Sequence, residues 1–233
     1  MLFSFKLELK VGFIMAQIET YDSKESAGDI LAVKIKELNL EKPYVLAVLR
    51  GGIQVAEGIA DKLKVPINPL AVKKLPSPGN PEYGFGAVTE DGTKVLNERA
   101  VSYIGIGEDD IEGIAGQVVQ EIQRRKEVYG GLDDEKIGES DVIIVDDGIA
   151  TGYSLIAGIN TVKKRNPKSV TVAVPVSSQN AYFKIKGLVD HIVCPLASDE
   201  SFFAVAAHYK TWVDLTEEQI KSIIENYRKK YTK

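Results

Sequence analysis

Two adjacent carboxylates at the end of an apolar run are the residues best suited to chemistry in this chain. Residues 142–154 read VIIVDDGIATGYS, so Asp146 and Asp147 directly follow four apolar residues. Adjacent like charges repel each other, and an aspartate gains nothing from burial in a core. In an open α/β sheet, ligands bind beyond the carboxyl ends of the strands. The pair therefore predicts a ligand that offers hydrogen-bond donors at a strand end.

The five residues after the acids predict a phosphate cradle. They are Gly148, Ile149, Ala150, Thr151 and Gly152, and a helical pattern begins directly after them. The glycines let the backbone curl so that N–H groups converge, and the helix terminus adds partial positive charge. The hydroxyls of Thr151 and Ser154 would be further donors. Carboxylates beside a phosphate fit a sugar phosphate, because its hydroxyls can donate to the aspartates.

Residues 142–154 resemble the phosphoribosyl-pyrophosphate (PRPP) loop of type I phosphoribosyltransferases, in which an apolar strand and two acids precede a Thr-Gly loop. The segment is not a Walker A loop, because no Gly-Lys-Ser or Gly-Lys-Thr follows. The plainer alternative is a strand that ends in a solvated Asp-Gly turn. The continuation Ala-Thr-Gly-x-Ser argues against such a turn.

A second segment, VLRGGIQVA at residues 48–56, resembles the pyrophosphate loop of the same family. The resemblance implies that Arg50 pairs with phosphate oxygens and that the amides of Gly51 and Gly52 approach them closely. The alternative is an ordinary turn with a solvated arginine. If both loops bind phosphate, they hold the two ends of a molecule like PRPP.

The resemblance implies a transferase that displaces pyrophosphate from C1 of PRPP with a nitrogen nucleophile, usually a nucleobase. Asp146, Asp147 and Arg50 would be its catalytic residues, and Lys73 or Lys74 could help to neutralise the leaving pyrophosphate. The alternative for the lysines is a solvated pair in a loop. Mg²⁺ would bind mainly through PRPP and water, without a metal site built from protein side chains alone. A homodimer is also implied.

The acceptor is not given by the resemblance. Six-oxopurine enzymes of the family carry an acid where this chain has Ala150, which argues against a hypoxanthine or guanine substrate. The variable hood that selects the base has no recognisable motif, and segments 75–86 and 195–203 are its candidates. Phe202 and Phe203 could stack on a ring, although core or dimer contacts are the alternative for both. Residues 26–209 also resemble a subgroup of predicted phosphoribosyltransferases with no settled substrate.

Two other functions remain open. A PRPP-binding regulator would keep the phosphate loop without catalysis, and a phosphohydrolase would use water in place of the base. Product analysis separates hydrolysis from transfer. A regulator that acts on nucleic acid would need a basic surface, and the formal net charge of −4 argues against one, although the basic run at residues 163–165 is compatible with it.

Composition favours a cytoplasmic protein. The 233 residues include one cysteine, Cys194, which excludes an internal disulfide or a cysteine zinc cluster, and two histidines, His191 and His208, to which no role is assigned. No apolar run approaches the roughly 18 residues that span a bilayer. Residues 1–15 lack a cleavage site typical of signal peptides and are predicted to be an extension or an edge strand.

The elements that must position the two loops follow from periodicity. Strands are predicted at 44–49, 65–72, 142–146, 169–174 and 189–193, and helices at 23–38, 53–63, 108–129, 153–164, 179–186 and 217–227. Capping boxes are predicted at Asp22/Glu25 and at Thr216/Gln219. Strands that alternate with helices predict an α/β fold with a mainly parallel, twisted sheet covered on both faces.

The sequence predicts a single phosphoribosyltransferase-like domain at residues 16–233. Within it, the Pro- and Gly-rich residues 73–86 predict a long loop. Residues 87–96 predict a hairpin that turns at Asp91-Gly92. Residues 73–105 together would form a cap or insertion over one end of the sheet.

Overall fold

A computed structural model describes residues 20–232. The helices are α1 (Lys24–Glu37), α2 (Gly52–Leu63), α3 (Glu98–Ile104), α4 (Glu108–Tyr129), α5 (Asp134–Gly138), α6 (Tyr153–Lys163), α7 (Gln179–Lys186) and α8 (Glu217–Tyr231), with a 3-10 turn at Val205–His208. The strands are β1 (Pro43–Val48), β2 (Ile67–Leu70), β3 (Val72–Ser77), β4 (Asn80–Thr89), β5 (Lys94–Leu96), β6 (Asp141–Val145), β7 (Ser169–Ala173), β8 (Val176–Ser178), β9 (His191–Val193) and β10 (Leu196–Ser198). The extension predicted for residues 1–15 lies outside the described residues.

The central sheet has five strands in the order β2-β1-β6-β7-β9, and every neighbouring pair is parallel. The chain therefore has the predicted α/β fold. Because parallel strands end at the same edge, the residues that follow β1 and β6 lie side by side. These residues are the two loops that the sequence singled out.

Helices cover both faces of the sheet, as predicted. On one face, α1, α2 and α8 pack on inward side chains such as Val45 and Ile143. On the other face, α6 and α7 pack on side chains such as Leu46 and Ile144. Successive residues of a strand point to opposite faces of the sheet, and helices cover both faces. The strands are therefore mostly apolar at successive positions rather than at every second one.

The predicted loop at residues 73–86 is wrong. These residues form β3 and most of β4, which pair antiparallel and turn near Gly79. The prolines suggested a loop, but Pro76 lies where the pairing register shifts, an irregularity that tolerates proline. Leu75 and Phe85 are fully buried under α4, so side-chain packing overrides the local turn signal.

The hairpin predicted for residues 87–96 is confirmed, because β4 and β5 pair antiparallel around Asp91-Gly92. The Asp91 carboxylate accepts hydrogen bonds from Thr93 and Thr161, and it forms an ion pair with Arg165. These contacts join the hairpin to the end of α6. The assignment of residues 73–105 as a cap or insertion stays a prediction.

Most predicted helices are confirmed to within a few residues, and the Thr216/Gln219 capping box of α8 is present. The other predicted capping box is wrong. Ser23 and Ser26 form it, because the Ser23 hydroxyl accepts from the Ser26 amide and the Ser26 hydroxyl accepts from the Ser23 amide. The short elements α3, α5, β8 and β10 were not predicted. Within residues 20–232, no helix combines the length and apolarity needed to cross a membrane.

Candidate functional site

The two predicted loops touch at the carboxyl edge of the sheet. A Cβ added at Gly51 would lie 2.0 Å from an Asp147 carboxylate oxygen, and one added at Gly52 would lie 2.4 Å from the Val145 carbonyl oxygen. Only glycine allows this approach. The loop after β1 is therefore packed against the acidic pair after β6.

The acidic pair lies in surroundings that disfavour its charge. Burial and the neighbouring Asp147 charge raise the pKa of Asp146 well above its usual range. Burial also raises the pKa of Asp147, whereas the nearby Lys24 ammonium lowers it. The Asp146 carboxylate accepts one hydrogen bond, 2.9 Å long, from the Asp147 amide. A ligand that donates hydroxyl groups would stabilise these carboxylates in their charged form.

Lys24 is a buried cation at this site that the sequence-based reasoning missed. Its side chain is 2% exposed, and its Nζ lies 3.1 Å from the Asp147 carboxylate. The same ammonium lies 3.7 Å from the ring centroid of Trp212 and 4.0 Å from the Asp214 carboxylate. Asp147 is further held by Tyr209, whose hydroxyl donates to its carbonyl oxygen over 2.6 Å. Helix α1 and residues 209–214 thus hold Asp147 in place.

Lys24 could not have been found by motif reading. It is one of several lysines in an ordinary amphipathic helix, and its partners lie far away in the chain. The one available signal is weak. Lys24 precedes the buried Ala27 of α1 by three residues, which places it on the same face of the helix.

The loop after the acids is hydrogen-bonded to β8 and also lines a cleft. The Ile149 amide donates to the Val176 carbonyl over 2.9 Å, and the Ser178 hydroxyl donates to the Ala150 carbonyl over 2.6 Å. Gly152 has φ 88°, a conformation that favours glycine, and it caps α6. These contacts fix the conformation of the loop.

A cleft of about 200 Å³ opens above this loop. Predicted site residues line most of it: Asp146, Gly148, Ile149, Ala150, Thr151, Gly152 and Ser154, together with Leu155 and Val205. Among residues 20–232, the hydroxyls of Thr151 and Ser154 have no hydrogen-bond partner in the protein. The loop therefore presents free donors at the start of a helix, which suits a phosphate.

Arg50, which the sequence assigned to pyrophosphate, lies in the loop after β1. Arg50 is exposed and follows a cis peptide bond, and it forms no ion pair within the described part of the chain. Burial raises the pKa of Tyr129, whereas the positive charges of Arg125 and Arg50 lower it. The Tyr129 hydroxyl is buried without a partner among the described residues. Arg125 and Arg50 therefore both lie near the Tyr129 hydroxyl.

The two lysines proposed for pyrophosphate have other partners. Lys73 forms an ion pair with Glu121 on α4. The Lys74 ammonium donates to the Glu82 carbonyl oxygen over 2.7 Å. Both lie on β3, outside the cleft above the phosphate loop. Their contact with pyrophosphate stays a prediction.

A larger cleft of about 700 Å³ adjoins the phosphate loop and shares Ala150 and Thr151 with the smaller one. Both segments that the sequence offered as a hood contribute to it: Tyr83 from 75–86, and Glu200, Ser201 and Phe203 from 195–203. Phe203 is partly buried and stacks on His208 with ring centroids 5.2 Å apart. Phe202 is 96% exposed, so it is not a core residue.

The residues around the acidic pair fit a metal that arrives with its substrate. Within the described residues, no three His, Cys, Asp or Glu side chains are grouped as a metal site. Lys24 already occupies one carboxylate oxygen of Asp147. Mg²⁺ commonly keeps several waters and takes only one or two carboxylates beside substrate phosphates. Asp146 beside the phosphate loop provides such a partial donor set.

The two loops meet at the carboxyl edge of a parallel sheet in an α/β domain. A family model of the phosphoribosyl transferase domain matches residues 17–211. The chain therefore belongs to the type I phosphoribosyltransferase family, as the sequence predicted.

Similar proteins agree with this family. A crystal structure of TT1426 from Thermus thermophilus has a TM-score of 0.72 and 32% identity, and the match covers 89% of this chain and 99% of that one. A provisionally named phosphoribosyl transferase of Mycobacterium tuberculosis is 31% identical over 89% of this chain and 47% of its own length. A uracil phosphoribosyltransferase of Ureaplasma parvum is 30% identical over 59% of this chain and 52% of its own length. The chain spans about half the length of these two curated relatives.

Proposed function

We propose that the protein transfers the phosphoribosyl group of PRPP to a nitrogen nucleophile and releases pyrophosphate. The observation that carries the proposal is the contact between the two loops at one sheet edge, where Gly51 abuts the Asp147 carboxylate. The predicted phosphate cradle directly follows the acidic pair, and Arg50, which has no ion pair within residues 20–232, directly precedes Gly51. PRPP carries a phosphate and a pyrophosphate at opposite ends of a ribose, which would suit this order.

In the proposed complex, the amides of residues 148–152 and the hydroxyls of Thr151 and Ser154 hold the 5′-phosphate. Asp146 and Asp147 accept hydrogen bonds from the ribose hydroxyls, and Arg50 binds the pyrophosphate. The nitrogen lone pair forms the bond to C1 while the C1–O bond breaks, and the electron pair leaves with pyrophosphate. Any proton on the nitrogen passes to solvent.

Catalysis by this arrangement would come from alignment and charge. The loops hold C1 and the leaving group in line with the acceptor, which removes most of the entropic cost of the encounter. Arg50 stabilises the charge that develops on the departing oxygen. Mg²⁺ held by PRPP, water and Asp146 would supply further neutralisation of pyrophosphate.

The test is product analysis with full-length protein, Mg²⁺, PRPP and a panel of nucleobases. We expect pyrophosphate release that depends on an acceptor, together with a product whose mass is the acceptor plus ribosyl phosphate. Ribose 5-phosphate formed equally fast without any acceptor would contradict transfer and indicate a phosphohydrolase. Saturable PRPP binding with no product for any acceptor would favour a binding protein.

A further inference from the structure

Aromatic side chains form part of the wall of the larger cleft. Four aromatic side chains line it: Tyr83, Tyr103, Tyr153 and Phe203. Tyr103 is 87% exposed and Tyr83 is 43% exposed, so neither ring is used to build the core. Exposed aromatic rings around a concave surface are suited to stacking on a planar ligand.

Two cations line the same cleft without a carboxylate partner. Arg99 from α3 and Lys184 from α7 are exposed, and neither forms an ion pair within residues 20–232. The Lys184 ammonium lies 5.4 Å from the ring centroid of Tyr153, which lines the same cleft. The two cations come from different helices and line one cleft.

One acid, Glu200, lies among the residues that line the cleft, and it is 3.9 Å from the His208 ring nitrogen Nε2. Two cations and one carboxylate leave the lining with one net positive charge. A ligand with one negative charge balances this lining, whereas a neutral ring leaves its charge uncompensated. Ala150 strengthens this preference, because the acid that purine enzymes carry at that position would repel an anion.

The cleft also lies where the acceptor must be. Ala150 and Thr151 line both this cleft and the smaller cleft above the phosphate loop, and Asp146 lines the smaller one. A planar ligand stacked in the larger cleft would therefore present one edge toward the ribose that the acidic pair holds. Its charged edge would face Arg99 and Lys184.

We propose that this cleft binds the acceptor and that the acceptor is a planar nitrogen compound carrying a single carboxylate. The proposal rests on the proposed function and deepens it. The carboxylate lies between the Arg99 guanidinium and the Lys184 ammonium, and the ring stacks among the tyrosines. The nitrogen attacks C1 of PRPP as described above, and the carboxylate is unchanged in the product.

The test compares three pairs of ring compounds that differ in one charge: nicotinate with nicotinamide, orotate with uracil, and anthranilate with anthranilamide. Acceptor-dependent pyrophosphate release is measured at saturating PRPP and Mg²⁺. For at least one pair, we expect kcat/KM to be about ten-fold or more higher for the carboxylate. The double variant Arg99→Gln/Lys184→Gln should remove that preference and leave PRPP affinity unchanged.

A matched control removes the same two charges elsewhere. Arg124→Gln/Lys186→Gln changes an exposed arginine of α4 and an exposed lysine of α7 that do not line the cleft. It should leave the preference intact. Three outcomes overturn the proposal while PRPP still binds. They are equal use of the neutral and anionic member of every pair, no use of any of the six compounds, and an unchanged preference in the Arg99/Lys184 variant. Absence of PRPP binding itself overturns the proposed function first, and this proposal with it.

Discussion

Lys24→Met lowers the free energy of unfolding by about 3 kcal/mol at pH 7.5, because it leaves the Asp147 carboxylate without its counter-charge. Lys24 is 2% exposed and lies 3.1 Å from that carboxylate. For a chain of this size the loss corresponds to a melting temperature lower by roughly 6–12 °C. Chemical denaturation followed by far-ultraviolet circular dichroism measures it.

The control for this change is Lys36→Met on the exposed face of the same helix, which should alter stability by less than about 0.5 kcal/mol. The double variant Lys24→Met/Asp147→Asn removes both charges and should recover part of the loss. Equal stability of Lys24→Met and Lys36→Met would show that the ion pair is not the source of the effect. The same conclusion would follow if the double variant lost as much free energy of unfolding as Lys24→Met and Asp147→Asn lose together when each is made alone.

The same variant has an expected pH dependence. Without the ammonium, the Asp147 carboxyl is still buried, so its pKa rises further above its ordinary value. When the pKa of a carboxyl is higher in the folded than in the unfolded protein, the free energy of unfolding falls as the pH rises past the pKa of the unfolded state. The difference in the free energy of unfolding between Lys24→Met and the wild-type protein should therefore be largest near pH 8 and shrink toward pH 5. A difference that grows on acidification would contradict the assignment.

Gly51→Ala should weaken PRPP binding about 100-fold, because a small misplacement of a binding group can cost that much. The added Cβ would lie 2.0 Å from an Asp147 carboxylate oxygen, so the acid must move. The backbone at Gly51 has φ −62° and ψ −34°, which alanine adopts freely. The effect is therefore steric and falls on the acidic pair.

The matched control for Gly51→Ala is Gly113→Ala in the middle of α4, where an added Cβ meets nothing within 4 Å. It should bind PRPP normally and be more stable by about 0.5–1 kcal/mol, since alanine is the better helix former. Trp212 is the single tryptophan of the chain and lies against Lys24, the partner of Asp147, so we expect its fluorescence to change when PRPP binds. PRPP affinity within about three-fold of the wild-type value for Gly51→Ala would show that the contact between the loops does not matter.

The parts of the fold that the sequence predicted are those with strong local patterns. β6 and its loop stand out because a continuous apolar run ends in two acids, and α4 because its apolar stripe is closed by Gly130. The hairpin of β3 and β4 could not be predicted, because its prolines favour a loop and its stability comes from burial of Leu75 and Phe85 under α4. Side-chain packing between distant segments decided that region.

The candidate site shows the same division. Its backbone cradle follows from glycines and hydroxyls that are contiguous in the chain. Its electrostatic support does not, because Lys24, Tyr209 and Trp212 come from other elements and meet at Asp147 only after folding. The sequence presented Asp146 and Asp147 as two equivalent acids, whereas the structure gives a buried cationic partner to Asp147.

Because only Asp147 has a buried cationic partner, Asp146 is the residue to substitute when PRPP binding is measured. Calorimetric titration follows the binding of PRPP with Mg²⁺ to the wild-type protein and to Asp146→Asn, which leaves the Lys24–Asp147 ion pair intact. We expect saturable binding to the wild-type protein and an affinity at least about 100-fold lower for the variant, with an unchanged circular dichroism spectrum. No binding to the wild-type protein at millimolar PRPP, or equal binding to both proteins, would contradict the account.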